Sequence, residues 1–287
     1  MPLLRFSCTD FRCLDRVSFE PHPRFSLIAG PNASGKTSLL EGIAYLGRGR
    51  SFRNASASDL VQHGAEGFLV QGEVHTGSGR QRVGVRNGRA GLEFSIDGDG
   101  QGGLSALVDI LPLQLIDPEV HQLVAGAPEE RRRFLEWMTF HVEQGYLDVW
   151  RRFRRALKQR NASLRSGGKA LDSWDRKFVE TALAVDAARK RVLLGGIPVL
   201  GSTAGTLLGA DVTFEYKQGW SVDADLVEQL QSARQRDLVS GTTSIGPHRA
   251  DLRLRVDERV AKRLVSRGQQ KLLACSMVLG SVAVVAD

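Results

Sequence analysis

Apolar side chains recur at about every second position in much of the first hundred residues and at every third or fourth position afterwards. The alternation predicts short strands at residues 3–8, 17–19, 68–74, 81–85 and 92–96. Turn signals at Gly77-Ser78-Gly79 and Asn87-Gly88 join the last three into an antiparallel meander. A short apolar run at residues 25–29 predicts one more strand, and residues 38–46 predict a helix directly behind it.

Helical spacing dominates from about residue 105 to residue 200. One stripe predicts a helix, and it consists of Tyr146, Val149, Trp150, Phe153, Leu157 and Leu164. A second helix is predicted at residues 173–194, and Ser166-Gly167-Gly168 separates the two, which indicates a helical hairpin. Strand character returns at residues 212–216 and 252–256.

The strongest chemical signal is the octapeptide GPNASGKT between the strand at 25–29 and the helix at 38–46. This strand-to-helix setting is typical of a phosphate-binding P-loop, whose glycines let backbone N–H groups approach a triphosphate. Lys36 is expected to contact the β- and γ-phosphates and Thr37 to ligate Mg²⁺. The predicted nucleotide-binding residues are Gly30, Pro31, Asn32, Ala33, Ser34, Gly35, Lys36 and Thr37. The alternative is a glycine-rich turn capped by Ser34 or Thr37.

A second motif, LVSRGQQK, begins at Leu264 and resembles the LSxGQ signature of ABC-type ATPases. The residues that match it are Ser266, Arg267, Gly268 and Gln269. Ser266 can cap a helix and donate to a γ-phosphate, while Gly268 lets the backbone approach that phosphate. Alone, the segment would more simply be a helix cap. Together with a P-loop, the resemblance implies an ATP-dependent head-to-head dimer in which the signature of one subunit contacts nucleotide held by the other.

The net charge is unevenly distributed. Lys and Arg number 39 against 32 Asp and Glu, a net charge of +7. Residues 131–165 hold ten basic and three acidic side chains, a difference of seven, so the whole excess falls in this window. We expect it to attract a polyanion, with Arg151, Arg152, Arg154 and Arg155 on the outer face of one helix as candidate DNA-binding residues.

The composition is that of a soluble globular protein, with 42% hydrophobic and 25% charged residues. The N-terminus lacks the pattern of a signal peptide, and the apolar run at residues 277–286 is too short to span a bilayer. Three cysteines without CxxC spacing favour a reducing compartment over zinc or disulfide bonds. A cytoplasmic protein without membrane association is expected.

Several longer segments resemble the RecF family of bacterial recombination mediators, which are SMC/Rad50-like ABC ATPases. They are residues 111–143, residues 150–165, GPHRADL from Gly246 to Leu252, and LVSRGQQKLL. The resemblance runs in family order along almost the whole chain. It implies ATP and Mg²⁺ as cofactors, ATP-dependent dimerisation on DNA, and loading of RecA at gaps between single-stranded and duplex DNA together with RecO and RecR. Because the basic helix face suits phosphates and not bases, we expect binding to duplex DNA and to single-strand/duplex junctions to be independent of sequence.

The implied fold is α/β, an ABC-type P-loop ATPase head with a mixed sheet, an antiparallel meander and an inserted helical lobe. We expect three segments: residues 1–105 with the P-loop, residues 106–240 as the basic helical lobe, and residues 241–287 with the signature. The family continues into a Walker B strand, whereas residues 282–286 followed by Asp287 lie too close to Gln269 for that role. A weak ATPase therefore competes with a non-hydrolysing ATP-gated DNA clamp and with an inactive truncated fragment.

Other candidates are less specific. Gln114 matches the position of a Q-loop residue, Arg50 and Arg53 could reach a γ-phosphate or DNA, and His248 could sense nucleotide. An exposed glutamine, a solvated basic loop and a simple turn at Gly246-Pro247 are the respective alternatives. The nucleotide subunit of a transporter would share both motifs, but it would carry neither GPHRADL nor so basic a helical lobe.

Overall fold

The computed structural model describes residues 3–77, 79–100, 103–168 and 170–286, without the side chains of residues 263 and 264. The chain divides into two compact units, unit 1 from Met1 to Leu115 and unit 2 from Ile116 to Asp287. The signature helix thus belongs to unit 2.

Unit 1 is built on a five-stranded antiparallel sheet with the strand order β2-β1-β3-β4-β5. The strands are β1 (Leu3–Phe11), β2 (Leu14–Phe19), β3 (Phe68–Thr76), β4 (Gly79–Gly88) and β5 (Gly91–Ile96). The predicted strands in these regions and the predicted meander are confirmed. Alternate residues of β3 are buried, as the period of two requires.

Unit 1 also contains two α-helices. Helix α1 (Lys36–Arg48) comes between β2 and β3, and helix α2 (Leu104–Ile110) comes after β5. Helix α1 packs Tyr45 and Leu46 into the same hydrophobic cluster as Phe6, Phe11 and Phe68 of the sheet. The Phe11, Tyr45 and Phe68 rings are 5.2–6.2 Å apart in tilted or edge-on pairs, which adds a modest aromatic contribution to the burial. This packing fixes the position of α1, whose first residues belong to the P-loop.

Unit 2 is mainly helical. Its helices are α3 (Gln122–Ala125), α4 (Pro128–Val142), α5 (Tyr146–Arg165), α6 (Leu171–Leu208), α7 (Leu226–Ser240), α8 (Ala261–Leu264) and α9 (Arg267–Ala286). A three-stranded antiparallel sheet completes it, with β6 (Val212–Lys217) and β8 (Arg259–Val260) on either side of β7 (Asp251–Val256). The predicted α5–α6 hairpin and the strands at 212–216 and 252–256 are confirmed. The stripe on α5 buries Tyr146, Phe153, Leu157 and Leu164.

The strand predicted at residues 25–29 is wrong. The structure assigns no strand there, and the side chains of Phe25 and Leu27 are 74% and 79% exposed. A strand needs a hydrogen-bonded neighbour, and within the described residues no strand pairs with this segment. Apolar composition alone could not supply that partner.

Helices α6 and α9 are both long and apolar enough to cross a membrane by length and composition. The C-terminal apolar segment is therefore longer than the sequence pattern indicated. Both helices also supply buried residues to one core cluster, Leu200 and Ala204 from α6 and Leu273 and Met277 from α9. The core of unit 2 therefore accounts for part of their hydropathy, since 28% of the apolar window of α6 and 39% of that of α9 are buried.

Candidate nucleotide-binding site

The P-loop lies on the surface of unit 1, with Pro31 to Ser34 and Thr37 exposed. Gly35 caps helix α1 in the left-handed conformation at φ 88°, and a Cβ there would lie 2.9 Å from Cδ2 of Leu14. The backbone angle favours glycine at this position, and a larger residue would also push the Leu14 side chain aside. Ala33 is also left-handed at φ 65°, which is a strained conformation for a residue with a side chain.

The first turn of α1 supplies the chemistry that a phosphate needs. The opening N–H groups of a helix have no intrahelical acceptors, and the helix dipole favours an anion beside them. The Lys36 ammonium donates hydrogen bonds to the carbonyl oxygens of Gly30 and Pro31 at 2.8 and 2.6 Å, which holds it over the loop. The donor set fits a polyphosphate, and the Thr37 hydroxyl in the same turn fits a magnesium ion.

A buried carboxylate behind the loop was not predicted from the sequence. Glu41 of α1 is fully buried and accepts two hydrogen bonds at 3.0 Å from Nε and Nη2 of Arg12. The Ser51 hydroxyl donates to the same carboxylate, and Arg53 lies 4.0 Å from it. Arg12 also donates to the carbonyl of Asp59 at 3.0 Å. Glu41 therefore ties the turn between β1 and β2, the P-loop helix and the segment after it into one network.

The lesser candidates of unit 1 take different positions. The Arg53 side chain is half-exposed, and its backbone N–H donates to the Ser51 hydroxyl at 2.9 Å. Arg50 is exposed just beyond α1. Gln114 is half-buried in an irregular segment near the end of the unit. The roles proposed for these three residues stay predictions.

The signature residues Ser266 to Gln269 are exposed at the start of α9 in unit 2. Ser266 and Gln269 form a reciprocal cap: the Ser266 N–H donates to Oε1 of Gln269 at 2.9 Å, and the Gln269 N–H donates to the Ser266 hydroxyl at 3.3 Å. The capping interpretation is thus confirmed. Packing does not explain why residue 268 is a glycine. A Cβ added there would have Oγ of Ser266, 4.0 Å away, as its nearest neighbour.

The GPHRADL segment is held inside unit 2 by arginines from the helices. Arg189 donates to the carbonyl of Pro247 at 2.9 Å, and Arg132 donates to that of Ala250 at 2.9 Å. His248 lies in a short 3-10 turn with Nε2 2.9 Å from the carbonyl of Thr243. Burial lowers the pKa of His248 to about 4, so this ring is neutral at pH 7. Its observed role is packing and hydrogen bonding within the unit.

Part of the basic excess of residues 131–165 is paired with acids inside unit 2. Arg160 is fully buried and donates to Asp175 at 2.7 Å and to Asp237 at 2.8 Å. Arg131 is buried and forms a bidentate pair with Asp251. Arg133 pairs with Glu129 and Glu130 in its own helix, as the local sequence indicated. Acids outside the window neutralise part of its charge, which composition along the chain cannot reveal.

The four arginines predicted to bind DNA are exposed on α5, opposite its buried stripe. Arg151 lies 3.5 Å from Asp148, and Arg152 donates to the Asp148 carbonyl at 3.4 Å. The guanidinium of Arg154 stands 5.8 Å from the ring centre of Trp150. These weak surface contacts leave the guanidinium groups in solvent.

A P-loop at the start of a packed helix and a capped serine-glycine motif define the class of an ABC-type ATPase head. A family model described as the RecF/RecN/SMC N terminal domain matches residues 2–285. The chain is 42% identical over 284 residues to the DNA replication and repair protein RecF of Pseudomonas fluorescens, covering 96% of this chain and 77% of the relative. RecF of Azotobacter vinelandii is also 42% identical, with coverage of 96% and 78%. The chain therefore belongs to the RecF family.

Solved structures support the same fold. A structure of the recombination mediator protein RecF-ATP in the RecFOR pathway superposes with a TM-score of 0.88 at 22% identity, covering 100% of this chain and 81% of that one. An Smc head domain from Pyrococcus furiosus gives a TM-score of 0.57 at 15% identity, covering 99% and 79%. The predicted α/β ABC ATPase head fold is confirmed.

Proposed function

We propose that this protein is an ATP-dependent DNA-binding protein of replication and recombinational repair. The observation that carries the proposal is the P-loop, where Gly35 opens helix α1 in the left-handed conformation and Lys36 is held over the loop. ATP binds through Gly30 to Thr37, and Thr37 contributes to holding Mg²⁺. The related RecF structure is described as RecF-ATP, which supports this ligand.

Binding of ATP at this loop is tested by replacing Lys36 with Ala. Charge-assisted contacts are worth about 1.5–3 kcal/mol each, so ATP affinity should fall by roughly tenfold or more in a calorimetric titration with Mg²⁺. Arg16→Ala is the matched control, because Arg16 is an exposed cation of the same unit outside the loop. Equal affinity of wild type and Lys36→Ala would exclude this site.

The proposed action on DNA depends on dimerisation. ATP joins two copies through the signature of each, Ser266 to Gln269, and the dimer binds duplex DNA and single-strand/duplex junctions without sequence preference. With RecO and RecR it promotes loading of RecA at gaps in the cytoplasm, without a membrane partner. Family membership supports this scheme, and the exposed arginines of α5 supply a surface for phosphates.

A second candidate is an ATP-gated DNA clamp that does not hydrolyse nucleotide. Val282 to Ala286 lie in helix α9, so this segment is not the strand of a Walker B motif. Asp287 lies outside the described residues. Phosphate release in the presence of duplex DNA distinguishes the two candidates: DNA-stimulated release that Lys36→Ala abolishes identifies an ATPase, and ATP-dependent DNA binding without release identifies the clamp.

A further inference from the structure

A groove of about 360 Å³ runs beside strand β7 in unit 2. Its apolar part consists of Val124 and Leu254, which are buried, and Val260, which is 48% exposed. Three cations, Arg253, Arg255 and Lys262, line the same groove. An apolar floor with a basic rim indicates a ligand that is both apolar and anionic.

The acids of the outer face of β6 and β7 neutralise the basic rim only in part. Asp251 is occupied by its bidentate pair with Arg131, whose Nε and Nη2 donate at 2.7 and 3.2 Å. Glu215, opposite Arg253 on β6, accepts a hydrogen bond from Lys217 and lies 4.0 Å from Arg255. Hydrogen bonding from Lys217 also lowers the pKa of Glu215. The rim therefore keeps an excess of positive charge.

The groove also borders an incompletely paired strand. Strand β8 pairs only with Arg255 and Val256 of β7. Within the described residues, the first four residues of β7 have a strand neighbour on the β6 side alone. Such an edge can receive an extended segment through backbone hydrogen bonds, while the alternate side chains of that segment enter pockets.

We propose that this groove binds an extended acidic peptide segment in which apolar and carboxylate side chains alternate. The apolar side chains pack on Val124, Leu254 and Val260, and the carboxylates face Arg253, Arg255 and Lys262. Charge complementarity identifies the acidic character, and the apolar floor favours a peptide over DNA, whose phosphates leave such a floor unfilled. The occupant is accordingly a partner protein with an acidic extended segment.

The proposal is tested by fluorescence anisotropy with a labelled eight-residue peptide of alternating aspartate and leucine. The double variant Arg253→Gln/Lys262→Gln should weaken peptide binding by about fivefold or more, since each exposed charge pair contributes modestly. Arg176→Gln/Lys177→Gln is the matched control, because it removes two exposed cations of unit 2 outside the groove lining. The control should bind like wild type.

Two further binding measurements test the contribution of apolar contacts separately from that of charge. A peptide of alternating aspartate and serine should bind more weakly than the leucine peptide, and Val260→Asp should weaken the leucine peptide. Equal binding of the leucine peptide by the groove variant and the control variant would overturn the proposal. So would a groove variant that loses binding of a labelled duplex DNA while its peptide affinity is unchanged, because the groove would then serve nucleic acid.

Discussion

At the scale of single residues, Glu41 connects the P-loop helix to the segments around it. Its carboxylate is fully buried and is bonded by Arg12 and Ser51. Removing its charge leaves the Arg12 guanidinium without its ion-pair partner. Glu41→Gln should therefore lower the stability of unit 1 by about 2–3 kcal/mol.

All four tryptophans lie in unit 2, so amide hydrogen exchange of α1 is the suitable measurement for Glu41→Gln. Faster exchange of α1 amides in the variant is the expected result. Arg53→Gln serves as the control. The Arg53 side chain is half-exposed and lies 4.0 Å from the Glu41 carboxylate, so this variant should change the exchange of α1 amides little. Similar exchange in both variants would show that the Arg12–Glu41 pair does not hold the helix.

A second residue-scale prediction concerns His248 and pH. Its pKa in the folded state, about 4, lies below the ordinary value of 6.5, because the ring is buried. The unfolded chain therefore binds more protons between these pH values, and stability present above pH 6.5 is lost as the pH falls towards 4. A tenfold difference in proton affinity between the folded and unfolded chain corresponds to about 1.4 kcal/mol.

His248→Gln should make this loss shallower, since Gln can donate to the Thr243 carbonyl but does not titrate. Urea unfolding followed by tryptophan fluorescence at several values between pH 7.5 and 4.5 measures the slope for unit 2. His63→Gln, an exposed histidine of unit 1, is the control and should keep the wild-type slope. An unchanged slope in His248→Gln would assign the acid sensitivity to other groups.

The residues of the site divided into those that sequence could reveal and those that it could not. The P-loop and the signature are contiguous motifs, so their residue types and spacing were sufficient to find them. The Glu41 pair joins residues 29 positions apart, and Arg131 meets Asp251 across 120 positions. Tertiary packing brings such distant residues together, so the local spacing of residues in a single sequence does not reveal which ones pair.

At the scale of elements, α5 presents the surface proposed for DNA. Phosphate contacts release counterions, which gives a slope of about −0.9 in log K against log salt for each contact on duplex DNA. Replacing Arg151, Arg152, Arg154 and Arg155 together with Gln should weaken duplex binding and flatten the slope by up to roughly 4 units. Titrations with two unrelated duplex sequences should give the same change.

The control for α5 removes four other cations of unit 2 by changing Lys177, Lys217, Arg191 and Arg234 to Gln. Each of these is paired with an acid in the structure. The slope of log K against log salt for this control variant should stay close to that of wild type. If the α5 variant also keeps the wild-type slope, the DNA surface lies elsewhere, for example beside Arg50 and Arg53.

The elements themselves were predicted where one physical signal dominated. The α5–α6 hairpin was found because its apolar stripe and glycine break are strong, although α6 continues through Pro198 to Leu208. Helix α4 was not delimited, because buried Arg131 and Thr139 interrupt the apolar stripe of Phe134, Leu135 and Met138. Helices with buried polar groups depend on partners that the local pattern does not show.

At the scale of the whole molecule, the proposed ATP-driven dimer requires the signature to act on nucleotide held by a second copy. Ser266 and Gly268 are exposed, and no contact within the described part of the chain requires glycine at 268. Ser266→Arg should leave ATP affinity unchanged and abolish nucleotide-dependent dimers, because the added cation would occupy the space where the partner's γ-phosphate docks. The variant also loses a helix cap worth about 1 kcal/mol, so its folding is checked by circular dichroism.

Sedimentation velocity with Mg²⁺ and a non-hydrolysable ATP analogue measures this effect. Ser173→Arg is the control, because it places the same side chain at an exposed position of unit 2 outside the signature. Wild type and this control should shift from monomer to dimer with the analogue, while Ser266→Arg should stay monomeric. Lys36→Ala should also stay monomeric, but because it binds the analogue poorly. A folded Ser266→Arg variant that still dimerises would remove the signature from the interface and leave the P-loop assignment intact.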